Sequence, residues 1–243
     1  MLDSSISNPV IEAYAGLEGR DLIKSIARDF PRRTALVSSF GAESSVLLHM
    51  VSEVDCNLPI IFLNTQKLFQ ETLDYRDHLV SELGLTGVRT IKPDLRDLQM
   101  HDATGLLHQT STDACCHIRK TIPLEKALDG FDVMISGRKR FHGAARSDLE
   151  FVSLANGRLK VEPLAGYTAL DLQTYMVKHH LPSHALRLEG YRSIGCEPCT
   201  SLGGSDQNPR AGRWAGSGKT ECGIHFTANG KVVRTVDWQT ISN

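Results

Sequence analysis

Apolar positions along the chain follow two alternating rhythms. TALVSSF (34–40), LPIIFLNT (58–65), VRTIKPD (88–94) and FDVMISG (131–137) are short apolar runs of strand length. Between them, SSVLLHMVSEV (44–54) and FQETLDYRDHLVSELG (69–84) repeat apolar residues every three or four positions, the second closing on Gly84. Residues 10–29, VIEAYAGLEGRDLIKSIARD, carry the same helical spacing ahead of the first strand. Strands alternating with helices predict an α/β fold whose parallel sheet is covered on both faces and whose ligands bind beyond the carboxyl ends of the strands. After residue 140 the pattern changes. LANGRLKVEPL carries an Asn156-Gly157 hairpin signal, and TALDLQTYMVKHH opens a helix with Thr168 as cap and Asp171 in the capping-box position. Residues 190–220 are rich in Gly, Pro and Ser with little periodicity, as expected of a functional loop or a disordered one.

Composition narrows the function classes. The 243 residues are 41% hydrophobic and 23% charged, enough for one main folded domain. A net charge of -1 gives no global attraction to nucleic acid, so an anion site has to be a local cluster of cations. No window offers the roughly 20 apolar residues of a membrane span, and the N-terminus lacks a basic flank followed by an apolar run. The expectation is a cytoplasmic protein without nucleic-acid or membrane partners.

Six cysteines without a secretion signal point to metal or redox chemistry rather than a disulfide framework. Cys56, beside an apolar run, reads as an inert thiol. Cys115-Cys116 and the CEPC pair Cys196 and Cys199 supply four thiolates in two pairs. Adjacent side chains on a helix diverge by about 100° and point poorly at one ion, whereas a 4Fe-4S cluster offers each cysteine its own iron. A 4Fe-4S cluster is therefore preferred over zinc. A redox dithiol at CEPC is the rival, and a zinc-stapled nucleotide- or RNA-binding module is the alternative of a different class.

SSFGAESS (38–45) lies between a strand and a helix, where backbone amides and a helix N-terminus can hold an anion. It echoes the Ser-Gly-Gly-x-Asp-Ser loop of ATP pyrophosphatases, with Phe40 for a glycine and Glu43 for aspartate. GRWAGSGKT is no Walker A loop, since Arg213 stands where its first glycine should be. Cys222, in KTECGIHF between Lys219 and His225, is a candidate nucleophile, because nearby cations favour the thiolate. Basic residues gather at 119–120, 138–140, 146, 210 and 213, as a dense anion would require.

Jointly, the SSFGAES loop, FLNTQKLFQET, CCHIRK, SGRKR, CEPC, PRAGRW and ECGIH resemble the assimilatory sulfonucleotide reductases, in particular the iron-sulfur adenylyl-sulfate (APS) reductases of bacteria. The resemblance covers about residues 34–226. It implies a Rossmann-like sheet of the adenine nucleotide alpha hydrolase type over 1–205, with a flexible catalytic tail over 206–243, in a homo-oligomer. It further implies a 4Fe-4S cluster on Cys115, Cys116, Cys196 and Cys199, and reduction of APS to sulfite and AMP through an S-sulfonate on Cys222. Thioredoxin or glutaredoxin would release the sulfite. Lys120, Arg210, Arg213 and His225 match positions that neutralise the anion, and Ser38, Ser39, Gly41, Leu63, Thr65, Gly137 and Arg146 match positions around the nucleotide. Two departures loosen the nucleotide contacts: the usual Leu-Asp-Thr-Gly is Leu63-Asn64-Thr65-Gln66, and the arginine loop reads GRKRFHGAAR. Reduction of the 3′-phosphorylated nucleotide PAPS is the runner-up, and an ATP-using ligase is disfavoured by Phe40 and Glu43.

Overall fold

The computed structural model describes residues 7–143, 146–204, 208–215, 219 and 221. The sheet comprises β1 (Thr34–Ser38), β2 (Ile60–Leu63), β3 (Val88–Ile91), β4 (Val133–Ile135), β5 (Val152–Ala155) and β6 (Arg158–Val161), in the spatial order β3-β2-β1-β4-β6-β5. All neighbours pair in parallel except β5, which runs antiparallel to β6 at the edge. Side-chain alternation divides the core between two faces. Leu36, Ile60, Phe62, Val133, Ile135, Leu159 and Val161 face one layer. Its helices are α2 (Gly19–Asp29), α3 (Ser44–Ser52), α4 (Gln70–Glu82) and α9 (Ala169–Lys178). Ala35, Ile61, Leu63 and Met134 face the other, against Leu124 of α8 (Ile122–Ala127) and Leu128. The expected α/β sheet with helices on both faces is therefore present.

The chain leaves β1 toward β2 on one side and takes up β4 on the other, so the crevice between the carboxyl ends of β1 and β4 is the switch point where such sheets bind ligands.

Local signals held where local chemistry decides. Thr168 and Asp171 form both halves of the capping box of α9, and α4 ends just before Gly84, at φ +59°. Asn156 and Gly157 both have positive φ, 54° and 69°, as the primed turn of a two-residue hairpin requires. Residues 10–29 are not one helix. α1 (Ser7–Glu12) and α2 are separated at Gly16 and Gly19, whose left-handed backbone no apolar period encodes.

Between β3 and α8 the chain forms three short helices, α5 (Leu95–His101), α6 (Leu107–Thr110) and α7 (Thr112–Cys116). α7 runs into α8 through a π-wound turn, His117–Thr121. α10 (Ala185–Leu188) precedes an irregular stretch whose described part holds a 3-10 turn, Glu197–Cys199, and three isolated bridges. Among the described residues no helix is long and apolar enough to cross a membrane.

Gly157→Ala places a Cβ on a left-handed turn residue and is expected to lower stability by about 1 kcal/mol. Urea unfolding would register this as a lower midpoint at unchanged m value.

Candidate active site

The loop after β1 is held by its own side chains. The Ser38 hydroxyl accepts the amide of Phe40 at 3.2 Å, and the Ser44 hydroxyl donates to the carbonyl of Gly41 at 2.7 Å. Phe40, standing where the related loop has glycine, has φ +48°. That conformation costs a non-glycine residue about 1 kcal/mol, and burial of the ring, edge-on to Phe62 at 5.2 Å, offsets it. Gln66 repeats the pattern: it replaces the other glycine and has φ +59°, its amide held by the Asn64 side chain at 2.9 Å.

This loop borders a cleft of about 200 Å³ at the switch point. Ser38, Ser39 and Gly41 line it from β1, Leu63 and Thr65 from β2, and Gly137 from the end of β4. Lys120, Arg146, Arg210 and Arg213 complete the set, so every described residue expected at the substrate opens on one cavity. Cys222 and His225 lie outside the described residues. A Cβ on Gly195 would fall 2.1–2.3 Å from the Arg213 guanidinium, so the guanidinium occupies the space that a side chain at 195 would take. The Arg213 Nε is buried without a hydrogen-bond partner.

Among the described residues, seven lysine and arginine side chains line the cleft against two carboxylates. Three glutamates organise this charge, and the sequence reading gave a role to none of them. Glu43 binds Lys139 Nζ at 2.7 Å and His142 Nε2 at 3.2 Å. Burial raises its pKa, but the Lys139 charge and the His142 contact outweigh this and hold it far below the usual carboxylate range. Glu162, 1% exposed, accepts from Ser136 Oγ at 2.6 Å and from Arg138 Nε at 2.8 Å. Glu221 chelates Arg146, with Nε at 2.5 Å and Nη2 at 2.9 Å, and meets Arg210 Nη2 at 3.3 Å. Burial again opposes ionisation of Glu221, and the Arg146 hydrogen bonds and charge win, lowering its pKa. The lysine and arginine partners lie 11 to 96 residues apart, so no local motif announces them.

Behind the cleft, Cys115, Cys116, Cys196 and Cys199 line one small cavity together. Lys120 and Trp214 line both cavities and form the wall between them. On the helix that carries them, Cys115 and Arg119, and Cys116 and Lys120, are i,i+4 pairs on one face. The β2 loop fixes this layer. Thr65 Oγ1 lies 3.3 Å from Cys196 Sγ, Leu68 bridges to Cys196, and Glu197 N donates to the Lys67 carbonyl at 2.8 Å. Arg119, buried, donates to the Thr65 carbonyl at 2.8 Å and to the Asp102 carboxylate at 2.5 Å and 3.1 Å.

Thiol acidity is uneven across the cavity. Burial, then the neighbouring Cys116, pushes the Cys115 pKa up to about 12. Burial also raises Cys196, but the Lys120 charge and the Thr65 hydrogen bond bring it below its ordinary value. The Nδ1 of His108, on the same cavity wall, is buried without a hydrogen-bond partner. All five described cysteines are free thiols, Cys56 lying away from both cavities. Among the described residues no three His, Cys, Asp or Glu side chains close on a point as ligands of a metal ion do.

Two outcomes follow from the buried charges. Asp102→Ala strands Arg119 without its carboxylate and should destabilise the fold by about 3 kcal/mol or more in denaturant titration. The folded pKa of Glu43 is depressed below its ordinary 4.5, so its stabilising effect is complete above that pH and is lost as pH falls through the lower folded value. Melting temperature should accordingly drop more steeply on acidification below pH 4.5 in the parent than in Glu43→Gln.

Residues 33–202 match the family described as "Phosphoadenosine phosphosulfate reductase domain". The chain is 46% identical over 215 residues to an "Adenosine 5'-phosphosulfate reductase" of Mesorhizobium japonicum, covering 88% of this chain and 85% of that one. It is 34% identical over 228 residues to "Adenosine 5'-phosphosulfate reductase 2" of Bacillus subtilis, covering 93% and 94%. In fold it is similar to the phosphoadenylyl-sulfate (PAPS) reductase of Candida auris, with a TM-score of 0.70 at 20% identity, over 83% of this chain and 98% of that one. With that family matched across the sheet, the switch-point loop and the paired cysteines, the chain belongs to the phosphoadenosine phosphosulfate reductase domain family.

Proposed function

We propose that this chain reduces adenosine 5′-phosphosulfate to sulfite and AMP in sulfate assimilation. The observation that carries the reading is the cleft at the β1/β4 switch point, where a nucleotide-type loop meets a strong excess of cations. A phosphosulfate anion suits such a site, and the relatives named as reductases of this nucleotide support the choice.

In this reading the Cys222 thiolate bonds to the sulfo sulfur as the sulfur–oxygen bond to phosphate breaks, and AMP leaves with that electron pair. A dithiol of thioredoxin or glutaredoxin type then attacks Cys222 Sγ. Sulfite departs, and the second thiol closes the disulfide, so two electrons come from the reductant. A thiolate approaching an anionic sulfo group meets repulsion, and Lys120, Arg210, Arg213 and His225 serve to offset it. Ser38, Ser39, Gly41, Leu63, Thr65, Gly137 and Arg146 hold the nucleotide, five of them through glycine backbone or short polar groups that permit close approach.

Cys115, Cys116, Cys196 and Cys199 would hold a 4Fe-4S cluster. The all-sulfur donor set around one cavity fits that group, and the orphaned His108 Nδ1 on its wall is a donor or acceptor that a bound group could satisfy. The chemistry it would supply is a fixed charge and a rigid anchor, not electrons for substrate. Lys120, on the wall between the cavities, is the residue this anchor would aim at the sulfo group.

Incubating the protein with APS and no reductant should add one sulfo group to the Cys222 peptide by mass spectrometry, and Cys222→Ser should remove both adduct and sulfite formation while still binding nucleotide. An unlabelled parent, or normal turnover by Cys222→Ser, would overturn the reading.

A further inference from the structure

Arg146 is 7% exposed and both edges of its guanidinium are engaged. Nε and Nη2 chelate Glu221, and Nη1 meets His142 Nδ1 at 3.2 Å. Two parallel N–H groups facing two carboxylate oxygens form the same fork that binds two oxygens of a phosphate or sulfo group. The edge holding Glu221 therefore has no place for a second anion, and Arg210 adds a further contact to the same carboxylate oxygen.

The three glutamates that bind the cleft's cations differ in where they come from. Glu43 belongs to the loop after β1 and Glu162 follows β6, so both ride on the sheet. Glu221 lies far along the chain beyond the last described element and directly precedes Cys222. It is the carboxylate whose arginines the nucleotide also needs.

We propose that Glu221 is an affinity- and specificity-determining residue: its carboxylate occupies the anion subsite of Arg146 and Arg210 before substrate binds, and a nucleotide gains that subsite only by displacing it. This rests on the functional reading above, which assigns both arginines to the substrate. The consequence is selectivity by charge. A nucleotide bearing a phosphate or phosphosulfate exchanges one anion for another at the arginines, whereas a nucleoside without an anionic group has nothing to offer them and leaves Glu221 in place.

Calorimetric titration of the intact, cluster-loaded protein with AMP and with adenosine tests the exchange, because neither ligand reacts with Cys222. A subsite filled by Glu221 about nine-tenths of the time weakens apparent anion affinity about tenfold, so Glu221→Gln should bind AMP about tenfold more tightly and adenosine no differently. Glu221→Ala, which also removes the hydrogen-bonding side chain, should show the same gain for AMP. Equal AMP affinity in the parent and both variants, or weaker AMP binding by the variants, overturns the inference while leaving the reductase reading intact. So does an equal gain for adenosine, which would indicate a general opening of the cleft rather than loss of a competing anion. Failure of AMP to bind any of the three proteins would overturn the assignment of the cleft to an adenine nucleotide, and this inference with it.

Discussion

The structure is governed by the repulsion of cations crowded at one point of the sheet. Seven lysine and arginine side chains border a cleft of about 200 Å³. Like charges repel more strongly at a protein surface than in bulk water, so such a cluster calls for compensation. Glu43, Glu162 and Glu221 provide it, each with ion-pair contacts of 2.5–3.3 Å. Arg138, Lys139, Arg146 and Arg210 are thus held in place, and a site fixed in advance does not have to reorganise as charge develops in a transition state. The positive φ of Phe40 belongs to the same arrangement, because anchoring that ring in the core keeps the loop amides at the cleft edge.

The cysteine layer is joined to this site by a second buried charge. Arg119 binds Asp102 on one side and the Thr65 carbonyl on the other. It therefore ties the helix bearing Cys115 and Cys116 to the end of β2, and Thr65 in turn touches Cys196. The π-wound turn at His117–Thr121 holds both Arg119 and Lys120, so the residue that locks the layer and the residue that faces the cleft are adjacent in the chain. Rare helical turns of this kind recur at functional sites. Here the turn lets neighbouring residues serve two cavities.

Much of the fold could be read from the sequence because its signals are local. The apolar runs that became β1, β2 and β4 are buried at nearly every position, and the Asn156-Gly157 turn and the Thr168/Asp171 box are decided within four residues. The candidate contacts came from the resemblance of the motifs to a known family, and all that are described line the expected crevice. The break at Gly16–Gly19 was not legible, since helical periodicity does not report backbone sign. Nor were the carboxylates: Glu43 meets Lys139 across 96 positions and Glu221 meets Arg146 across 75. Of the two departures from glycine, Gln66 looked in sequence like a loosened nucleotide contact, and Phe40 counted against an ATP-using ligase. Both retain the left-handed backbone that glycine would adopt, so the loop shape survives the change of residue.

The placement of the three carboxylates carries a further physical consequence. A glutamate rooted in the sheet neutralises its cation permanently, which stabilises the fold but withholds that charge from a ligand. Arg138 and Lys139 are held in this way, by Glu162 and Glu43. Arg146 and Arg210 are instead held by Glu221, next to the candidate nucleophile in sequence. Positive charge that is stabilised in the empty enzyme yet transferable to an arriving anion requires a partner that can leave without dismantling the core. Among the three, Glu221 fits that condition, because its contacts among the described residues are to two side chains and none belongs to a strand pairing. The sheet fixes where the cations stand, and the place in the chain of each counter-charge separates the cations held by the sheet from those held by Glu221.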